Sequence, residues 1–354
     1  MSNSTVKNKS GFLAIGAGGG NVCVAFYKAD YPCLFINSAK LDLDSLKEVD
    51  EKCKYHIPGG EGCNKDRKKS KELFRKDIDN IINEIKEKLP GIEYLFVIGA
   101  AGGGTASGVL ASIKRIAMSE LSLKACIIVT ILPNTKSESI KALINAYETL
   151  AEIEQLEEAG ATIILDNDKN SNKLRINEMF FCYLNALLTN DSVSVFGNVD
   201  NAEIEELLSA SGMAIISKLG KDKSETQKLI STFKNNIYAP IEEDKVIKYM
   251  GLINAGQGQG IRIEDIYNEV GTPLDTYVGY EADATICILS GLSLPYGKMA
   301  EIKTIIDSNK DTIKNNLAAQ NSSRLSDGLG FFDDMIPINK PKAEKSKSYR
   351  DLLF

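Results

Sequence analysis

The sequence contains no tryptophan and one histidine, His56. With one imidazole in the chain, triad hydrolases and histidine-based acid–base schemes find little support. Long apolar runs are also missing. No stretch approaches the ~18–20 residues that span a bilayer, so no membrane partner is expected. The opening MSNSTVKNKSGFLAIGAGGG has too short an apolar core for a signal peptide, which points to the cytoplasm. Positive charge is not in excess, since 42 Lys and Arg against 48 Asp and Glu leave a formal charge of −6. That balance argues against a wholly basic nucleic-acid surface, although it leaves room for a local patch. The seven cysteines are odd in number and scattered. Several lie in apolar runs such as KACIIVT and ATICILS and read as reduced core thiols. Cys53, His56 and Cys63 are one ligand short of a structural zinc site, and no metal is expected there.

What is present is an ordinary globular composition, 43% hydrophobic and 25% charged, over 354 residues. That length suits one large domain or two smaller ones. Short apolar segments at 11–15, 33–37, 94–98, 125–131 and 162–165 read as strands. Helical patterns separate them; in DRKKSKELFRKDIDNIINEIKEKL, Leu73, Phe74, Ile78, Ile81, Ile82 and Ile85 recur at helical spacing. Strand and helix in alternation predict a doubly wound parallel sheet, an α/β nucleotide-binding class. Ile176, Met179, Phe180, Tyr183, Leu184, Leu187 and Leu188 then form a long helical stripe suited to a place between two domains. Residues 201–320 read as helix, helix, strand (IKYMGLINAG), helix, strand (DATICILSGL) and a last long helix from about 297. From about 321 no periodic apolar pattern remains, as in a flexible tail.

Two glycine-rich loops leave a strand and enter a helix, IGAGGGNV at 15–22 and IGAAGGGTASG at 98–108. Such turns aim free backbone N–H groups and the positive helix end at one point, a geometry that suits phosphate. Neither loop carries the G-x-x-x-x-G-K-[ST] lysine pattern. GAGGGN places Asn21 where a dinucleotide fingerprint has its last glycine, and the next strand ends in FINS without a ribose-binding acid. Two such loops at strand ends of one sheet converge on one crevice.

GGGTASG at 102–108 resembles the G-G-G-T-[GS]-[ST]-G motif of the tubulin/FtsZ superfamily of polymerising GTPases, and IGAGGGNV resembles its first phosphate loop. The likeness runs over roughly residues 10–320. It implies a GTP-binding domain over 1–170, a central helix over 171–192, a smaller α/β C-terminal domain over 193–296, a long helix over 297–320 and a flexible basic tail over 321–354. It further implies GTP and GDP as ligands, with Mg²⁺. On the matching positions, phosphate would meet Gly16, Gly18, Gly19, Gly20 and Asn21 in the first loop, and Gly102, Gly103, Gly104, Thr105 and Gly108 in the second. GGEGCN is similar to the loop that senses the γ-phosphate, which brings in Gly62 and Asn64. NTKSE resembles the ribose loop, with Glu138 as acceptor and Lys141 the nearby cation. LDNDK is similar to the base-reading loop, with Asn167 on guanine and Asn177 on the other base edge.

VFGNVDNAEIEELL at 195–208 resembles the loop that, in this superfamily, reaches the nucleotide of the next subunit. Asn198, Asp200 and Glu203 fall on its catalytic positions, the last one methylene longer than the usual aspartate. Carboxylates there would orient water in line with the γ-phosphate, while Mg²⁺ and loop N–H groups balance the charge that develops. Asp200 with Glu203 also reads as a helix capping box, and both roles can hold together. Residues 251–271 are similar to the start of the FtsZ-type C-terminal domain, with extra glycines at 256–260 that remodel a loop.

Within the superfamily, the short tail with Lys340, Lys342, Lys345, Lys347 and Arg350 looks most like the TubZ group of plasmid and phage tubulins. That likeness implies GTP-dependent head-to-tail filaments that segregate DNA through a centromere-binding adaptor held by the tail. Competing readings are an FtsZ-type cell-division GTPase, a GTP-binding structural homologue that does not hydrolyse, and an NAD(P)-dependent oxidoreductase.

Overall fold

The computed structural model describes residues 6–257 and 260–320. The basic tail expected over 321–354 lies outside them. The chain runs β1 (Ser10–Ile15), α1 (Gly16–Lys28), β2 (Cys33–Asn37), α2 (Lys40–Ser45), β3 (Lys54–His56), α3 (Arg67–Lys88), β4 (Tyr94–Ala100), α4 (Leu110–Glu120), β5 (Ala125–Leu132), α5 (Ile140–Glu154) and β6 (Thr162–Asp166). It continues through α6 (Lys173–Leu188), α7 (Asn201–Ser209), β7 (Met213–Gly220), α8 (Thr226–Lys234), β8 (Tyr249–Ala255), α9 (Ile263–Val270), β9 (Asp275–Ala282), β10 (Ala284–Leu292) and α10 (Tyr296–Gln320).

The strands join in one sheet of order β3-β2-β1-β4-β5-β6-β7-β10-β8-β9. From β3 to β6 every pairing is parallel, as the strand–helix alternation predicts. Each of these five predicted strands is present, as β1, β2, β4, β5 and β6. The winding reverses between β1 and β4, where Ile15 lies beside Gly99. Ligands of open α/β sheets bind outside the strand ends at such a reversal, and both glycine loops leave from this spot.

The two faces are covered by the periodic helices. Asp66 caps α3 by accepting from the Lys69 amide at 3.1 Å. From that cap onward, Phe74, Ile78, Ile81, Ile82 and Ile85 are buried against Leu13, Leu34 and Val97 of the sheet. On the other face α6 buries Ile176, Phe180, Leu184, Leu187 and Leu188. Its Phe180 and Phe181 rings meet Phe26 of α1 edge-on, 5.8 and 5.1 Å between centroids. Burying each such side chain contributes about 1.5–3 kcal/mol, so this face fixes how α6 lies on the sheet.

The second half departs from the sequence reading in two strands and one direction. β7 follows the helical stripe of α7 after only a few residues, and its short apolar run MAIISK has no period that separates strand from buried helix. β9 lies at the sheet edge with little of its length buried, so its apolar signal is weak. β10 runs antiparallel to both neighbours, β7 and β8, so the sheet is mixed rather than wholly parallel. Only Asp283 connects β9 to β10, too little chain for the helical crossover a parallel return needs.

Candidate functional site

A cleft of about 230 Å³ opens at the reversal point between β1 and β4. Its lining includes Gly16 and Gly18 from the first glycine loop, Gly103, Gly104 and Thr105 from the second, and Gly62 and Asn64 from the loop before α3. Asn21, Gly102 and Gly108 are not among the lining residues, nor are Gly19 and Gly20. Gly19 has a packing reason: a Cβ there would stand 2.2 Å from the Ile98 carbonyl oxygen, so glycine lets α1 lie directly on β4.

The second loop is organised so that its acceptors face the protein. The Gly103 carbonyl takes hydrogen bonds from Ser107 Oγ at 2.6 Å and Asn145 Nδ2 at 2.9 Å. Ser70 Oγ donates to the Thr105 carbonyl at 2.5 Å, and Arg67 and Thr149 both donate to Ser107 O at 3.0 Å. Among the described residues, the amides of Gly104, Thr105 and Ala106 have no acceptor. With carbonyls turned away and N–H groups left over, the loop presents partial positive charge to the cleft. Helix α1 adds its own first-turn N–H groups, because Ile15 at its N-cap offers no side-chain acceptor. An anion fits this cleft, and a phosphate chain fits its breadth across two loops.

Asn145, buried on α5, joins the second loop to the loop before α3. Its Nδ2 also donates to the Lys65 carbonyl at 3.0 Å, while Lys141 Nζ reaches the Asn64 carbonyl at 3.0 Å. The approach is close, since a Cβ on Gly104 would lie 2.7 Å from the Lys65 nitrogen. Arg67 continues the brace, with Glu152 at 2.6 Å and Glu148 at 2.5 Å. His56, the single histidine, serves the same region through Nε2 and the Gly60 carbonyl at 2.8 Å. Motif reading misses Ala39 and Asp42, which line the cleft, and Ser38 and Asn145, which brace its loops, Ser38 Oγ lying 2.9 Å from Thr105 Oγ1. Asp42, held by Asn37 Nδ2 at 3.1 Å, supplies the one carboxylate among the cleft-lining residues.

Glu138 lies at the foot of α5, paired with Lys173 at 2.9 Å and Lys65 at 3.6 Å. The Lys173 hydrogen bond, against some cost of burial, holds its carboxyl below the usual range. The cations beside Glu138 are therefore Lys173 and Lys65, and Lys141 serves the neighbouring loop instead. Asn167 sits at the apex of a turn in which the Asp168 amide donates to Asp166 Oδ1 at 2.9 Å. Asn134 Nδ2 holds the Asn167 carbonyl at 3.2 Å. Asn177 is half-buried one turn into α6. Neither Asn167 nor Asn177 donates from its side-chain amide to any described residue.

Asp200 caps α7. Its Oδ1 accepts from the Ala202 and Glu203 amides at 2.8 and 3.0 Å, and Glu203 Oε2 accepts from the Asp200 amide at 2.8 Å. This is the capping box read in the sequence. Asn198 ties its own loop, with Oδ1 accepting from the Ser194 amide at 2.7 Å and Nδ2 donating to Ser194 O at 2.9 Å. None of the three lines this cleft. Ahead of them Val193, Val195 and Phe196 are 78%, 93% and 58% exposed.

A reversal-point cleft with two amide-rich loops, joined to a central helix and a capped acidic loop, defines a tubulin-like nucleotide-binding protein. The chain belongs to the tubulin/FtsZ family and is a GTPase; the model of the Tubulin/FtsZ family GTPase domain matches residues 11–174. It is 32% identical over 293 residues to the tubulin-like protein TubZ of Clostridium botulinum C phage, covering 81% of this chain and 80% of the relative. The structure of Clostridium botulinum phage c-st TubZ with its C-terminal tail truncated superposes with a TM-score of 0.76 at 29% identity, over 87% of this chain and 99% of that one. The GTPγS-form protofilament of Bacillus thuringiensis serovar israelensis TubZ shares the fold, with a TM-score of 0.72 at 15% identity over 88% and 94% of the two chains. The oxidoreductase reading gives way to this assignment.

Proposed function

We propose that this protein assembles head-to-tail into GTP-dependent filaments, hydrolyses GTP at the subunit contacts, and segregates plasmid or phage DNA. The observation that carries the reading is the row of amides at Gly104, Thr105 and Ala106 that find no acceptor among the described residues, in a cleft whose lining includes none of Asn198, Asp200 or Glu203. Nucleotide binding and the acidic loop stand on different surfaces, and a heterologous contact between copies brings such surfaces together. The exposed Val193, Val195 and Phe196 give that contact apolar area beside the acids. Bacillus thuringiensis TubZ forms a protofilament in its GTPγS form, which supports the same arrangement here.

In this reading the two glycine loops hold the phosphates, Gly62 and Asn64 face the terminal one, Glu138 accepts from the ribose, and Asn167 and Asn177 read guanine. Asp42, which lines the cleft, would hold Mg²⁺, because a carboxylate beside a polyanion is unfavourable without a cation between them. When bound, Mg²⁺ offsets negative charge on the phosphate oxygens. The capping box fixes the direction of Asp200 and Glu203, which orient water towards the neighbouring subunit's γ-phosphate, and Asn198 keeps their loop in register. Residues 321–354, with their cluster of lysines, take the DNA-bound adaptor.

The test combines sedimentation with phosphate release, using GTP and GTPγS across a range of protein concentrations. Pelleting that needs GTP and hydrolysis that starts only above a critical concentration are expected. Hydrolysis at full rate far below that concentration would refute catalysis between subunits. Deleting residues 321–354 should leave filaments intact and abolish adaptor binding; unchanged adaptor binding would remove the tail's role.

A further inference from the structure

We propose that Lys298, at the start of α10, is a positioning residue for base specificity: it locks the Asp166–Asn167–Asp168 turn that presents Asn167 to guanine. This rests on Asn167 as the base reader.

Lys298 is 5% exposed, and its ammonium lies 2.6 Å from Asp168, 2.9 Å from Glu301 and 3.7 Å from Asp166. Asp166 is almost wholly buried at the end of β6, and Asp168 stands two residues on, so two carboxylates share one small volume. Burial pushes the Asp166 carboxyl up. At Asp168 burial is outweighed by Lys298 and by the Thr135 hydroxyl and amide, which hold it low. Thr135 donates to Asp168 through Oγ1 at 2.7 Å and N at 2.9 Å, tying the loop after β5 to the loop after β6. The Asp168 amide and carboxylate and the Asn167 carbonyl are thus held within the protein, while the Asn167 side-chain amide donates to no described residue.

The cation that holds this turn comes from a distant part of the chain. Helix α10 is itself anchored, because the Gly297 amide donates to Glu242 Oε1 at 2.8 Å and Ile302 and Ile306 pack on Leu143 and Ile144 of α5. Base recognition therefore depends on α10 being docked. Removing one partner of a buried ionic cluster strands the others, so without Lys298 the two carboxylates drive the turn open.

The experiment measures competition of GTP, ITP and ATP against a fluorescent GTP analogue on the full chain, below the assembly concentration. ITP lacks the 2-amino group that a guanine-reading asparagine engages. Lys298→Met is expected to weaken GTP binding about tenfold, leave ITP nearly unchanged, and so narrow the GTP/ITP ratio. Lys298→Arg should restore most of that ratio. If Asn167→Ala loses the ratio while Lys298→Met keeps it and only melts earlier, Lys298 is structural and the proposal is overturned. If Asn167→Ala keeps the ratio, the base-reader reading fails, and the proposal with it. Should Lys298→Met not fold, Thr135→Val decides: a narrowed ratio supports the positioning role, and a wild-type ratio overturns it.

Discussion

Asn145→Ala separates a latch from mere packing. Asn145 is 4% exposed and its Nδ2 bridges Gly103 O at 2.9 Å and Lys65 O at 3.0 Å. The Gly103 carbonyl keeps Ser107 Oγ as a donor, so the larger loss falls on the Lys65 carbonyl. A fully buried carbonyl deprived of its donor costs about 1–3 kcal/mol; Lys65 is half-buried, so the lower end of that range is the expected fall in urea unfolding free energy without nucleotide. The functional consequence follows from where the two carbonyls belong. One is in the glycine loop, and the other adjoins Asn64, on the side read as facing the terminal phosphate. Loosening the latch should therefore weaken GTPγS more than GDP, lowering their affinity ratio about tenfold for ~1.4 kcal/mol of lost coupling. Equilibrium competition of both nucleotides on the same preparation measures it. A variant that loses the expected stability but keeps the wild-type GTPγS/GDP ratio would refute the latch.

Asp200→Ala removes a cap that serves two amides and should cost about 0.5–2 kcal/mol of stability. Filaments should still pellet with GTP while phosphate release slows; Glu203→Ala should behave alike, and rapid turnover in both would remove the acids from the chemistry. Gly19→Ala puts a methyl 2.2 Å from the Ile98 carbonyl, so it should unfold or strongly destabilise the protein with or without nucleotide. A thermal melt that matches the wild type would show that α1 can lift from β4. Glu138→Gln tests the ion pairs with Lys173 and Lys65. Glu138 is held below the usual carboxylate range, so its contribution is present at higher pH and is lost as the pH falls through the lowered native value. The variant should be less stable near neutrality and flatter on the acid side, and parallel pH profiles would contradict the pairing.

How much of this was legible depends on whether a feature is carried by neighbours in the chain. The glycine loops, the α3 and α6 stripes and the capping box at Asp200 and Glu203 are local patterns, so their elements could be placed before any contact was known. Gly19 sits in the same motif as Gly18, yet its lack of a side chain answers to the Ile98 carbonyl of another strand. No spacing within GAGGGN separates packing from phosphate contact. Asn145 and Lys298 lie in unremarkable helical sequence, and each matters because the fold brings it to a loop far away in the chain, with Lys298 standing 130 residues from Asp168. Lys173 replaces Lys141 beside Glu138 for the same reason, since the start of α6 returns to the foot of α5. The β9–β10 connection follows this rule too: one residue, Asp283, is enough to forbid a helical crossover, but only once both flanking strands are known. A phosphate loop announces itself because its backbone must be bare. The groups that hold it still are ordinary residues, and only the fold identifies them.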